Sequence, residues 1–127
     1  MIKILESLTL FSENAKQLAH FYQDKVGLKI TAEAVFGEND EEYYELEAGD
    51  GTPIYIIDHS EIKGKNKDPK RFLFNLEVDD IKKAFKKLKK AGVKKIADVY
   101  HMQEYGYIAT FADVDGNYFQ IVQIRPS

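Results

Sequence analysis

The segment FADVDGNYFQIVQ, residues 111–123, decides the fold, because an acidic glycine turn separates two apolar, aromatic-rich runs. Asp-Gly between alternating apolar segments is a strong signal for a β-hairpin. The turn also resembles the start of a calcium loop, but an EF-hand loop beginning at Asp113 would need a bidentate glutamate at its twelfth position, which is Ile124. We therefore predict a turn in which acidic side chains bond nearby backbone N–H groups and Gly116 permits a positive φ.

This hairpin is one half of an internal repeat. The Asp-Gly pair at 50–51 precedes the pair at 115–116 by 65 residues, and it also lies between strand-like runs, in the segment 43–58. A further strand is predicted before each helix, at 4–11 and at 72–78. The chain thus reads twice as a strand, a helix and three strands, which predicts an α+β fold of two βαβββ modules in tandem.

The two predicted helices follow the same repeat. The first begins after Ser12 or Asn14 as its N-cap and stops at Gly27. The second begins after the acidic pair at 79–80 and stops at Gly92. The apolar positions recur at i, i+3, i+4 and i+7, 66 residues apart: Ala15, Leu18, Ala19 and Tyr22 in the first helix, and Ile81, Ala84, Phe85 and Leu88 in the second.

A chain of 127 residues favours one domain. Each module is too short to bury its apolar face alone, so we expect the two modules to form a single domain over 1–127. Module one is predicted at 1–59 and module two at 72–127, joined by the polar, turn-rich linker SEIKGKNKDPKR at 60–71.

The composition excludes several classes of protein. Apolar residues make up 44% of the chain, charged residues make up 31%, and the net charge is −3, which argues against a general nucleic-acid binder. The absence of cysteine excludes a disulfide framework and a thiol nucleophile. No run is long and apolar enough for a bilayer span or a signal peptide, so we expect a cytoplasmic protein without membrane partners.

Alternation along the strands assigns two faces to the predicted sheet. In 72–78 one set of alternate residues is wholly apolar and should pack under the helices on the outer face: Phe72, Phe74, Leu76 and Val78. The opposite set is mixed, which indicates a curved mixed sheet, or cup, around a pocket. A solvated face, or a face covered by a second chain, is the alternative. The candidate lining is Ser7, Thr9, Phe11, Tyr55, Leu73, Asn75, Glu77, Tyr118 and Gln120.

The pattern resembles the vicinal oxygen chelate superfamily, which includes glyoxalase I, extradiol dioxygenases, fosfomycin-resistance enzymes and bleomycin-resistance proteins. Three segments carry the resemblance: FYQDKVGLKI at 21–30, LEVDDIKKAFKKLKKAGV at 76–93 and FADVDGNYFQIVQ at 111–123. The resemblance covers nearly the whole chain and includes the doubled βαβββ order. Val114 replaces the proline that is usual in the family's turn.

The resemblance implies a metal cup in the enzymatic members, with one His, Glu or Gln ligand from each equivalent strand position. The positions that match are Ser7, Tyr55, Leu73 and Gln120. Octahedral metals need oxygen and imidazole donors, and of these four side chains only that of Gln120 is a plausible ligand. We therefore expect no metal and no cofactor.

The three histidines do not restore a ligand set. His20, His59 and His101 share no metal-ligand spacing, so structural or solvent-facing roles are expected. His101 belongs to the segment VYHMQEYGY, and loops of this kind can line the mouth of a pocket. We therefore add His101 to the candidate ligand-binding residues.

Two classes of function follow. The first is a metal-independent small-molecule-binding protein similar to bleomycin-resistance proteins, which would hold an aromatic or amphipathic ligand in the inter-module cup of a homodimer. The eight Tyr and eight Phe provide rings that can stack on a ligand, although some belong to the core. The alternative is a metal-dependent lyase, isomerase or dioxygenase that uses Gln120 with His101 or Glu104. A metal-free acid/base enzyme using Glu77 is also considered, against an exposed strand-end role for this carboxylate.

Charge is unevenly distributed along the chain. Eight lysines lie in KKAFKKLKKAGVKK at 82–95, and seven acidic residues lie in GENDEEYYELEAGD at 37–50. The lysines flank an apolar stripe as a solvated helix face would, and arginine is scarce, so we expect no nucleic-acid partner. The acidic segment could face the basic helix of a partner subunit.

Overall fold

The computed structural model describes residues 1–125, and the chain divides into two compact units, Met1–Gly64 and Lys65–Ser127. The division falls inside the predicted linker at 60–71. Each unit runs strand, helix and three strands, which confirms the α+β fold and the tandem modules. The single domain over 1–127 stays a prediction.

The first unit contains a four-stranded sheet and one helix. Its elements are β1 (Leu8–Ser12), α1 (Ala15–Phe21), β2 (Lys29–Phe36), β3 (Glu41–Glu47) and β4 (Ile54–Asp58). The strand order is β1-β4-β3-β2, with β1 parallel to β4 and the other neighbours antiparallel. The helix carries the chain from β1 to β2 at the opposite edge of the sheet, and β3 and β4 then return it to the position beside β1.

The first helix begins at a predicted N-cap and ends at the predicted glycine. The Asn14 side chain accepts a hydrogen bond from the backbone N–H of Gln17 (3.0 Å), as an N-cap residue does. The helix continues into a wider π-helical turn over Tyr22–Val26, where the carbonyl of Tyr22 accepts from Gly27 N at 2.9 Å. Gly27 then adopts φ 102°, a left-handed conformation that glycine tolerates.

The core of the first unit lies between α1 and the central strands. Leu18 and Tyr22 are fully buried on the helical segment, as are Leu46 of β3 and Ile56 of β4. Asp58 ties the last strand to the helix, because its Oδ1 accepts from the backbone N–H of Ala15 at 2.8 Å. This bond satisfies one of the N–H groups that a helix start leaves without an intrahelical partner.

The second unit repeats this plan. Its elements are β5 (Leu73–Glu77), α2 (Ile81–Lys90), β6 (Lys94–Met102), β7 (Gly106–Ala112) and β8 (Tyr118–Ile124), preceded by a short 3-10 turn at Pro69–Arg71. The strand order is β5-β8-β7-β6, again with one parallel pair, β5 and β8. None of the helices within residues 1–125 is long and apolar enough to cross a membrane.

The second helix is capped as the first is. The Asp80 side chain accepts from Lys83 N at 3.2 Å, and Gln123 Oε1 at the end of β8 accepts from Ile81 N at 2.9 Å. Gln123 thus occupies in the second unit the place that Asp58 occupies in the first. The predicted stop at Gly92 is confirmed, because α2 ends two residues before it and Gly92 has φ +82°.

The hairpin turn in the second unit is built around one carboxylate. Asp113 is 6% exposed, and its Oδ1 accepts from the backbone N–H groups of Asp115 and Asn117, both at 2.9 Å. Its Oδ2 accepts from Asn117 Nδ2 at 3.0 Å, and Gly116 has φ +80°. The predicted turn with backbone N–H partners is confirmed.

Two predicted strand boundaries are wrong. The first strand, predicted at 4–11, begins at Leu8, and Ile4 and Leu5 before it are exposed. Phe72, predicted to pack under the helix, is 58% exposed, because it follows the 3-10 turn and pairing with β8 begins only at Leu73. Burial and pairing, rather than hydrophobicity alone, decide where a strand begins.

Candidate functional site

The first sheet has an open face, defined here as the face turned away from α1. Strand register places Thr9 opposite Tyr55, and Tyr55 opposite Glu45, so these three side chains share this face. The neighbouring row is formed by Phe11, Ile57 and Tyr43. The open face is therefore a mixture of aromatic, aliphatic and acidic groups.

Two tyrosine rings dominate this face. Tyr43 and Tyr55 stack with ring centroids 5.4 Å apart and an interplanar angle of 28°. The pKa of Tyr55 is raised to about 12, mainly by a hydrogen bond with the Glu45 carboxylate and, to a lesser extent, by partial burial. Glu45 also accepts a hydrogen bond from Thr31 Oγ1 at 3.2 Å. Tyr55 is consequently a neutral, oriented phenol at physiological pH.

The remaining candidates of the first unit, Ser7 and Phe11, lie in β1 or just before it. Phe11 is 48% exposed, and its ring meets the imidazole of His59 edge-on at 5.1 Å. Ser7 lies just before the strand and donates a hydrogen bond to the Glu6 carboxylate at 2.7 Å. Phe11 extends the aromatic surface of the open face.

The second sheet brings five candidates together on the face away from α2. Leu73 lies opposite Tyr118, Asn75 opposite Gln120, and Glu77 opposite Val122. The Gln120 amide donates from Nε2 to Oγ1 of the buried Thr110 at 2.9 Å. This contact fixes the orientation of the amide and directs its carbonyl oxygen away from Thr110.

His101 lies on the other face of the second sheet. It pairs with Tyr107 across β6 and β7, with ring centroids 5.0 Å apart. Tyr107 in turn pairs with Gln123, the residue that caps α2, so His101 and Gln120 are on opposite faces. Glu77 is exposed at the last position of β5, which matches the strand-end alternative for this carboxylate.

The structure thus groups Thr9, Phe11 and Tyr55 on one sheet, with Ser7 beside them, and Leu73, Asn75, Glu77, Tyr118 and Gln120 on the other. Their role in ligand binding stays a prediction. The residues of these faces that sequence reasoning missed include Tyr43, Glu45 and Thr110. The alternation of Tyr44 and Leu46 with Tyr43 and Glu45 in the sequence was the signal that could have placed the latter two on the opposite face.

The residues at the family's metal-ligand positions do not fit a metal. The Ser7 hydroxyl is bonded to a carboxylate, Tyr55 is a phenol with a raised pKa, and Leu73 has no donor atom. Gln120 is left as a single neutral donor, whereas octahedral sites need several oxygen or imidazole ligands. Within residues 1–125, no three His, Cys, Asp or Glu side chains gather in an arrangement that could hold a metal ion.

Comparison with known proteins shows which family the sequence matches. Residues 4–121 match the family described as Glyoxalase/Bleomycin resistance protein/Dioxygenase superfamily. The uncharacterized protein YetH of Bacillus subtilis (strain 168) is 28% identical over 119 residues, which cover 94% of this chain and 97% of YetH.

Two solved structures illustrate the range of proteins with this fold. TnmS3, an antibiotic binding protein from Streptomyces sp. CB03234, has a TM-score of 0.78 at 19% identity, over 98% of each chain. The genomically encoded fosfomycin resistance protein FosX from Listeria monocytogenes has a TM-score of 0.77 at 15% identity, over 98% of this chain and 96% of FosX. At such identities the likeness shows the fold alone.

Proposed function

The chain belongs to the Glyoxalase/Bleomycin resistance protein/Dioxygenase superfamily, and on that premise we propose that it is a metal-independent small-molecule-binding protein for an aromatic or amphipathic ligand. The observation that carries the proposal is the stacked pair of Tyr43 and Tyr55 on the open face of the first sheet. A planar ligand would stack on these rings.

The physical basis is the rigidity of the pair. Tyrosine offers a large ring with only two side-chain torsions, so little conformational entropy is lost when a ligand binds. The hydrogen bond with Glu45 fixes the phenol of Tyr55 before any ligand arrives. Pre-organisation of this kind improves affinity because fewer groups are ordered on binding.

Two further points support binding without a metal. The side chains at the family's ligand positions are a poor donor set, as their contacts show. The fold is also that of TnmS3, an antibiotic binding protein, so this architecture serves ligand binding in a similar chain. The alternative of a metal-dependent enzyme gains no comparable observation from the residues of either sheet.

The proposal includes assembly as a homodimer, which the family resemblance implies. The acidic segment 37–50 and the lysine-rich segment 82–95 provide opposite charges that could meet across two copies of the chain. Sedimentation equilibrium at low and high salt tests this contact. A dimer that dissociates as salt rises is expected, and a dimer indifferent to salt would rule out the charged contact.

The binding function is tested by thermal unfolding with planar aromatic compounds, after metal removal by a chelator and elemental analysis. Binding to the folded state alone raises the free energy of unfolding by about 2.7 kcal/mol at about 100 times the Kd. Tyr55→Leu should abolish the shift, and Tyr107→Leu, which removes an exposed ring from the second unit, should retain it. One tightly bound metal per chain, required for the shift, would contradict the proposal.

A further inference from the structure

The two halves of the chain carry opposite charge. Residues 1–64 contain 13 acidic and five basic side chains, whereas residues 65–127 contain eight acidic and 13 basic ones. The stacked tyrosines belong to the acidic half. The open face of the first sheet thus belongs to the half with an excess of acidic groups, and an excess of negative charge favours the approach of cations over that of anions.

A carboxylate lies directly beside the aromatic pair. Glu45 is half-buried on the strand that carries Tyr43, and it lies opposite Tyr55 on the neighbouring strand. Its oxygens accept hydrogen bonds from the hydroxyls of Thr31 and Tyr55. None of the ion pairs found within residues 1–125 includes Glu45, so its charge is solvated and hydrogen-bonded but is not neutralised.

The surrounding charges reinforce this polarity. Glu6 lies close enough to raise the pKa of Tyr55 by charge repulsion, and its carboxylate accepts a hydrogen bond from the neutral hydroxyl of Ser7. Across the described strands of the first unit, the register places one basic residue on the open face, Lys29, and it lies opposite Glu47 at the end of β3. The tyrosine pair thus has anionic neighbours on the side where a ligand would dock.

This polarity is the reverse of what a metal site offers. A metal ion presents positive charge and binds the oxygen atoms of its substrate. At the corresponding position, Tyr55 presents the face of an aromatic ring and a phenol hydrogen-bonded to a carboxylate. Both an aromatic face and a carboxylate attract cations, the ring through its quadrupole and the carboxylate through charge-assisted hydrogen bonds.

We propose that the ligand of the first sheet is a cation, a planar or amphipathic amine, amidine or guanidinium, whose apolar part stacks on Tyr43 and Tyr55 while its charged nitrogen bonds to Glu45. This inference rests on the proposed binding function and adds the charge of the ligand to it. Neutral and anionic compounds of the same shape are disfavoured, because Glu45 would remain without a counter-charge or would repel them.

Three probes of one shape test the assignment: 9-aminoacridine, which is a cation at neutral pH, acridone, which is neutral, and acridine-9-carboxylate, an anion. Affinity is measured by fluorescence titration and calorimetry on the full chain at two salt concentrations. The cation should bind at least about tenfold more tightly than acridone, with the difference shrinking at high salt, and the anion should not bind.

Glu45→Gln separates charge from shape, because the amide keeps an acceptor for Tyr55 and Thr31 but removes the negative charge. This variant should lose about tenfold in affinity for 9-aminoacridine and little for acridone. Glu33→Gln is the matched control, since register pairs Glu33 with Tyr44 on the helix-facing side of the sheet. It removes the same charge and should change the affinity by less than about twofold.

The possible failures are distinguishable. If acridone and 9-aminoacridine bind wild type equally, and Glu45→Gln leaves both affinities unchanged, the cationic ligand is overturned while the binding function stands. If none of the three probes binds and wider aromatic panels also fail to stabilise the protein, both proposals are overturned. Binding that survives Tyr55→Leu unchanged would move the site away from the first sheet and overturn both assignments there.

Discussion

The turn at residues 113–117 and its counterpart at 48–52 reverse the chain at the same point of the two units, but a buried side chain organises only the former. Asp113 bonds to the backbone and side chain of the residues that follow it. Ala48 occupies the corresponding place, and a long backbone hydrogen bond from Gly51 N to Ala48 O (3.4 Å) closes the other turn.

The same contrast extends to the two sheets. On the second sheet, the polar residue Gln120 is bonded to the buried Thr110. On the first sheet, the polar groups Tyr55 and Glu45 lie on the open face, half-buried, beside a stacked ring. Repetition of a backbone plan therefore does not repeat a site. The equivalent hydrogen-bonded pair is neutral and includes the buried Thr110 in the second unit, whereas in the first unit both members are half-buried and one is a carboxylate.

The largest expected effect tests the contrast between the turns. Asp113→Ala removes a buried acceptor and leaves the N–H groups of Asp115 and Asn117 without it, so we expect a loss of about 2–4 kcal/mol in the free energy of unfolding. Urea denaturation measures it. Asp50→Ala in the exposed counterpart is the control and should change stability by less than about 0.5 kcal/mol. Equal losses would show that the turns contribute alike.

An intermediate effect on stability is expected for the two residues that bond the last strand of each unit to the start of its helix. Asp58 accepts from Ala15 N at 2.8 Å and from Glu42 N at 2.9 Å, whereas Gln123 accepts from Ile81 N at 2.9 Å. Asp58→Ala should cost about 2–3 kcal/mol and Gln123→Ala about 1 kcal/mol, because the first loses two bonds to a charged acceptor. Chemical denaturation of both variants provides the measurement. The reverse order would indicate that the Gln123 contact carries more of the helix start than its single bond suggests.

The smallest expected effect is a change in how steeply the free energy of unfolding falls as the pH rises. The Tyr55 pKa of about 12 in the folded protein exceeds the ordinary tyrosine value of 10.0, so the folded state holds this proton more tightly than the unfolded chain. The resulting stabilisation is present below pH 10 and is lost as the pH rises towards 12. Tyr55→Phe should flatten the decline of stability over this range, as measured by urea denaturation. Tyr107→Phe, which removes a surface hydroxyl of the second unit, should retain the wild-type slope.

The sequence predicted the repeated architecture because its signals are local. Asn14, Gly27 and Gly92 act through neighbouring backbone groups, and the Asp-Gly pairs act within their own turns. The start of the first strand was not predictable in this way. Apolar residues extend back to Ile2, but pairing with β4 begins only at Leu8.

Only part of the candidate site was predicted, because local signals give the face of a residue but not its neighbours on adjacent strands. Alternation placed Gln120 on an open face, and the repeat placed Tyr55 at the matching position of the first unit, as the strand register confirms. Glu45 was missed because its importance depends on the neighbouring strand, which brings it opposite Tyr55. His101 lies in a strand with two irregularities of register, between Lys95 and Ala97 and between Ala97 and Tyr100, and such bulges break the alternation on which a face assignment relies.

The π-helical turn over Tyr22–Val26 accounts for a discrepancy in the repeat. Apolar positions of the helices are 66 residues apart, but the glycine stops that follow are 65 apart, so the first unit holds one more residue before its stop. A turn closed by a bond from residue i+5 to residue i contains one residue more than an ordinary helical turn, and the bond from Gly27 to Tyr22 is of this kind. The insertion is thus absorbed inside the helix. The strands β3 and β4 keep their phase, so Glu45 and Tyr55 remain on the face that their counterparts Thr110 and Gln120 occupy in the second sheet.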